Sequence, residues 1–248
     1  MTRPASTFPG GTSVTWLDVY DDAAPDGLVG GSPHLHLAST ECYVVVGGAG
    51  ELHTLDPSGA GVTALAPGVV VWFTPGTIHR AVNLDGLQVL VIMGNAGLPE
   101  AGDAVMTFPA DVVADAERYG AAATLPAADG SEASVLARSE AARRRRDLAV
   151  TGYLPIRDAL ARGDDRPLRE FQAAAAALVA GRAPAWSELV AAGPLAQAER
   201  SAAITADLAR GIHAHLADAH VEQADAPTGE RGFGMCGRLR AYDVSARG

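Results

Sequence analysis

The 248-residue sequence contains no lysine, so all 19 of its basic residues are arginine. Together with the abundance of alanine, this reads as the coding drift of a GC-rich bacterial genome and carries no functional meaning. Cysteine is nearly missing as well. Cys42 and Cys236 stand far apart, which excludes a disulfide framework and a cysteine-rich zinc site and leaves two inert thiols as the expectation. No apolar run approaches the length of roughly 18 residues that a membrane span needs. The first residues lack the apolar core of a signal peptide, so the expected location is cytoplasmic. Basic charge is scarce in one half only. Residues 1–126 hold three arginines against 13 acids, whereas residues 127–248 hold 16 of each. An acidic first half repels phosphate backbones, so nucleic acid is not expected as a partner. The hydrophobic fraction of 48% is ordinary for a chain that folds.

What is present falls into two halves with different patterns and no internal repeat. From about Ser13 to Gly94, the segments TSVTWLDVY, ECYVVVG, ELHTL, VVVWF, TIHRAV and LQVLVIM read as short strands. The turn signals PDG, GGSP, GGAG, DPSGAG, APG, TPG and LDG separate them. Strands at this spacing predict a small barrel or sandwich. After Pro109 the pattern turns helical: PADVVADAERYGAAA, DGSEASVLARSEAARRRRDLA, RPLREFQAAAAALVAG, AWSELVAAG and QAERSAAITADLARGIHAHLADAH. The end returns to alternation at Leu239, Ala241 and Val244. The expected organisation is therefore a β-barrel domain over 1–110, a helix or linker over 111–130 and a helical region over 131–225. The stretch 226–248 is either a return strand or a tail.

The residues that point to chemistry lie in the strand-rich half. His34 and His36 are two apart, so on an extended strand both imidazoles face one side and can share an ion. Glu41 lies an odd number of residues beyond His36, so LAST must bend for its carboxylate to join them. His79 follows on TIHRAVN. Three imidazoles and a carboxylate suit one borderline divalent ion such as Fe, Mn, Ni or Zn, and four protein ligands leave positions open for a substrate.

The stretch His34-x-His36-x4-Glu41-x6-Gly48 resembles the first motif of the cupin superfamily, and Gly68-x7-Gly76-x2-His79-x3-Asn83 resembles its second, with 19 residues between them. Two places depart from the pattern. Leu28 stands where the family has a glycine, and Pro75 lies one residue late; neither removes a ligand. The resemblance covers roughly residues 12–95. It implies an α+β chain, a jelly-roll barrel followed by helices, with His34, His36, Glu41 and His79 as metal ligands. It further implies a dimer, and either a metal-dependent dioxygenase or isomerase/lyase acting on a small polar organic molecule, or a non-catalytic ligand-binding cupin. Helices over the barrel mouth would favour an enzyme with a buried substrate, and helices on the far side would favour assembly.

Alternation from the ligands places Glu41, Tyr43 and Val45 inside, with Cys42 outside, and Thr77, His79 and Ala81 inside, with Arg80 outside. Tyr43 is the candidate polar neighbour of the metal and the one candidate catalytic side chain. Trp16, Phe73 and Met93 are expected to pack in the core more than to line the cavity. His213, His215 and His220 lack the i, i+4 spacing of a zinc site and read as a polar helix surface. The run Arg143 to Arg146 reads as a solvated helix, with Glu140 paired to Arg144 and Asp147 to Arg143. AWSELVAAG carries no Arg, Asn or Gln to reach bases, which argues against a helix-turn-helix.

Overall fold

The structure, a computed structural model, describes residues 8–244. Two long strands organise it: β3 (Glu41–Asp56) and β6 (Ile78–Met93), paired antiparallel from Glu41↔Met93 to Leu55↔Ile78. The GGAG and LDG segments, expected as turns, instead form an irregular stretch in which both strands continue through register shifts between Val45 and Gly50. Gly48 carries it. Its φ is +70°, and an added Cβ would lie 2.3 Å from the carbonyl oxygens of Asp85 and Gly86, so no larger residue fits.

The irregularity lets each long strand serve two groups of neighbours. On one side of it, β3 pairs β5 (Val70–Phe73), and β6 pairs β1 (Ser13–Val19). On the other side, β3 pairs β4 (Gly59–Leu65), and β6 pairs β2 (His34–His36), which in turn pairs β7 (Ala104–Met106). The β4 strand, whose first three residues read as turn, completes a hairpin with β3. Both groups turn side chains into one core containing Leu17, Tyr43, Leu52, Leu65, Ala81 and Val89. This is the jelly-roll barrel, followed by helices, that the cupin resemblance implies.

The helical half comprises α1 (Ala110–Val113), α2 (Ala116–Ala123), α3 (Glu132–Leu160), α4 (Arg166–Val179), α5 (Ala183–Val190) and α6 (Ala196–Leu208). The Ser131 hydroxyl caps α3 by accepting from the Ser134 amide at 3.1 Å. Along α3 the buried residues Ala142, Arg146, Ala149, Tyr153 and Ile156 recur at helical spacing. Of these, Ala149, Tyr153 and Ile156 pack with Leu168, Phe171 and Trp186 against Leu35, Leu55, Ile78 and Val105, which project from the outer face of the barrel. Full burial of each such apolar side chain contributes roughly 1.5–3 kcal/mol. Among the described residues, no helix is long and apolar enough to cross a membrane.

Three expectations are corrected. The arginine run is not a solvated face: Arg145 and Arg146 are buried. Arg145 donates to the Gly234 carbonyl at 2.7 Å, and Arg146 donates to the carbonyls of Asp22 and Ala23. Arg144 does pair with Glu140, but Asp147 pairs with Arg146, and Arg143 pairs with Asp22. Arg80 does not reach solvent, because the loop preceding β2 lies over it. It is wholly buried, donating to the Gly31 carbonyl and paired with Asp26 at 2.5 Å. The last helix ends at Leu208, so His213 and His220 stand exposed, and His215 half-buried, on irregular and 3-10 backbone.

At the end of the described chain, β8 (Gly232–Phe233) pairs β9 (Gly237–Ala241), and β9 pairs β1 from Thr15↔Ala241 to Val19↔Gly237. The close approach needs Gly31, where a Cβ would lie 2.5 Å from the Cys236 Cα. Residues 245–248, part of the proposed tail, lie outside the described residues.

Candidate metal centre

His34 and His36 project from β2 into the barrel while Leu35, between them, projects out into the helical layer. His79 is the register partner of His34 on β6. The bend required between His36 and Glu41 is pinned by a residue that sequence reasoning missed. The Asp103 carboxylate accepts from the backbone amides of Leu37 (3.0 Å), Ala38 (2.7 Å) and Ser39 (3.1 Å). With these three residues turned, Glu41 re-enters at the start of β3 facing inward. The structure thus brings all four sequence-predicted ligands together. One ligand atom from each of His34, His36, Glu41 and His79 lies within 4.8 Å of the others, and all four residues are buried.

Two of the imidazoles are oriented by hydrogen bonds at Nδ1. His34 Nδ1 lies 2.9 Å from the Ser32 carbonyl and His79 Nδ1 lies 3.3 Å from the Thr77 carbonyl, whereas His36 Nδ1 lies 3.3 Å from Asp103 Oδ2, an ion-pair contact without hydrogen-bond geometry. Such partners fix ring orientation and tautomer. His36 Nε2 and His79 Nε2 then converge on Glu41 Oε2, at 3.2 and 3.0 Å. Glu41 Oε2 and His79 Nε2 are buried without a hydrogen bond of acceptable geometry. Buried polar atoms left in this state are costly, and a cation between them would satisfy both. The donor set and the two orphaned atoms fit one divalent ion of the Mn-to-Zn series.

The electrostatics follow from burial and from mutual charge. Burial raises the Glu41 carboxyl, but His79 and His36 outweigh it and hold the group far below the usual carboxylate range. Burial lowers His36, but Asp103 and Glu41 outweigh it and raise the imidazole to about 9. His34 is driven well below its ordinary value by burial and then by the other two histidines.

Against His34, His36 and Glu41 lies a cavity of about 150 Å³. Tyr43 lines it, fully buried, with its hydroxyl donating to Cys236 Sγ at 3.6 Å. Burial, and then Cys236 and Glu41, push the Tyr43 hydroxyl well above its ordinary value, so it stays protonated. Burial, and then Glu41, push the Cys236 thiol to about 12. Cys236 is thus a neutral part of the cavity wall, and nothing in its sequence context signalled that. Met93 lines the cavity too, Phe73 packs on His79 with ring centroids 4.2 Å apart, and Trp16 does neither. No residue of α1 to α6 lines the cavity. The second histidine group brings no ligands together: among the described residues, His34, His36, Glu41 and His79 are the one group suited to a metal.

No family model matches the sequence, and no curated protein matches it. Solved structures do match in part. One is the nucleoside dehydratase Pac13, at 13% identity over 40% of this chain and 70% of that one, with a TM-score of 0.31. Another is a cupin 2 conserved barrel domain protein from Salinispora arenicola, at 24% identity over 40% and 75%, with a TM-score of 0.29. A third is a sugar 3,4-ketoisomerase from Thermoanaerobacterium thermosaccharolyticum in complex with TDP, at 13% identity over 37% and 86%, with a TM-score of 0.28. Likeness at this level carries no chemistry over to this chain.

Proposed function

We propose that this chain is a metal-dependent cupin enzyme of the dioxygenase or isomerase/lyase type, acting on a small organic molecule that presents oxygen atoms to the site. The observation that carries the reading is the buried convergence of His34, His36, Glu41 and His79, with three of their polar atoms (His36 Nδ1, Glu41 Oε2 and His79 Nε2) lacking hydrogen-bond partners. A bound divalent ion would supply Lewis-acid polarisation of substrate oxygen and leave positions for substrate. The chain's own residues do the rest. Ser32, Thr77 and Asp103 hold the three rings in place. The apolar walls formed by Leu17, Val91 and Met93 keep water from the substrate, and Tyr43 holds a proton at its hydroxyl.

The test is elemental analysis of purified protein before and after chelation, with oxygen consumption followed on candidate substrates. Stoichiometric iron with oxygen uptake would favour a dioxygenase. Zinc, nickel or manganese without oxygen uptake would favour an isomerase or lyase. Protein that stays folded, contains no metal and takes none up would defeat the reading. One observation favours a non-catalytic ligand-binding cupin instead: no residue of α1 to α6 lines the cavity at the tetrad. The homodimer belongs to both readings, and equilibrium sedimentation tests it.

A further inference from the structure

The cavity has a wall that the two barrel motifs do not provide. Strand β9 lies beside β1 with Leu239 opposite Leu17 and Ala241 opposite Thr15, and these four residues line the cavity. The segment GRLRA alternates strictly, so its arginines face the other way. Arg238 stacks 3.9 Å over the Phe233 ring and donates to the Arg231 carbonyl, while Arg240 donates to the Pro227 carbonyl. Among the described residues, no arginine lines the cavity, and its one charged side chain outside the tetrad is Glu100, exposed at the rim. A ligand carrying an anionic group away from the tetrad would place that charge against apolar wall without a counter-ion, which is costly. The volume of about 150 Å³ suits a ring or chain of roughly six to ten non-hydrogen atoms, since an apolar cavity of that size takes up benzene.

We infer that the site selects a small molecule with an oxygen-bearing head that meets the tetrad and an uncharged, apolar body held by the wall that β9 adds. This rests on the metal-centre reading above, and it narrows the substrate from polar molecules in general to those whose polarity is confined to one end. Compounds whose phosphate or nucleotide group would lie away from the tetrad are disfavoured by charge.

The test loads the full-length protein with cobalt(II) and follows its visible absorption during titration with two hydroxamates of equal size. Hexanohydroxamate and succinate monohydroxamate share a chelating head but end in a methyl group and a carboxylate respectively. The alkyl-tailed compound should change the spectrum at a concentration roughly tenfold lower or less. Equal responses, or a preference for the carboxylate tail, overturn the inference while cobalt uptake leaves the metal centre standing. Protein that takes up no cobalt overturns both. In Ala241→Arg, at the exposed end of the wall, the carboxylate-tailed compound should gain until the preference narrows or reverses, with cobalt uptake retained. An unchanged preference would show that β9 does not read the tail, and would also overturn the inference.

Discussion

On β2 and β6 the side chains of His34, His36 and His79 turn into the barrel, while their neighbours Leu35 and Ile78 turn out into the helical layer. The inner face buries polar atoms that lack partners, and the outer face buries apolar surface that leaves none. Folding gains from the second arrangement and is opposed by the first. The outer layer therefore offsets the cost of a tetrad held ready for an ion. Breaking the two faces separately tests this division.

The largest expected effect lies at the seam between barrel and loop. Asp26→Ala would strand the buried Arg80 guanidinium and should cost about 3–5 kcal/mol, read by urea denaturation. In the helical layer, Phe171→Ala should cost about 3–4 kcal/mol and leave metal uptake per folded molecule unchanged. On the inner face, Asp103→Asn weakens the hold on His36, so metal affinity should fall about 10- to 100-fold in a competition titration with a chelator. Gly31→Ala forces β9 and Cys236 away from the barrel and should cost roughly 1–3 kcal/mol by the same denaturation assay.

The smallest effect is one of pH. Burial raises the Asp26 carboxyl, but its bond to Arg80 and the Arg80 charge outweigh it and lower the group below its ordinary 3.8. A carboxylate depressed in the folded state stabilises fully above its unfolded value, and this is lost as pH falls through the folded one. The stability gap between wild type and Asp26→Asn should therefore hold at neutral pH and shrink below about pH 4. A gap that widens on acidification would contradict this pairing.

Much of the inner face could be read from the sequence, because period-two alternation from a few histidines fixes which residues share it. Glu41, Tyr43, Thr77 and Ala81 all proved buried where alternation put them. The bend at LAST was also legible as a necessity, but its cause was not. Asp103 lies over sixty residues away, and a lone acid in a loop gives no local signal of three backbone partners. GGAG and LDG carry turn chemistry, and only the pairing of β3 with β6 shows that the strands run on through them. The burial of Arg80, Arg145 and Arg146 depended on which loops and helices come to lie over them, which composition does not encode. In the histidine-rich tail helical propensity continued, but Gly211, at a φ of +76°, lies where the helix has already stopped.

The central claim is that the four inner-face residues hold one ion. The most direct measurement is metal content per chain by mass spectrometry, for wild-type protein and for His34→Ala purified and loaded identically. The account predicts about one divalent ion per wild-type chain and loss of most of it in the variant, with both proteins folded. Full retention of metal in His34→Ala would contradict it.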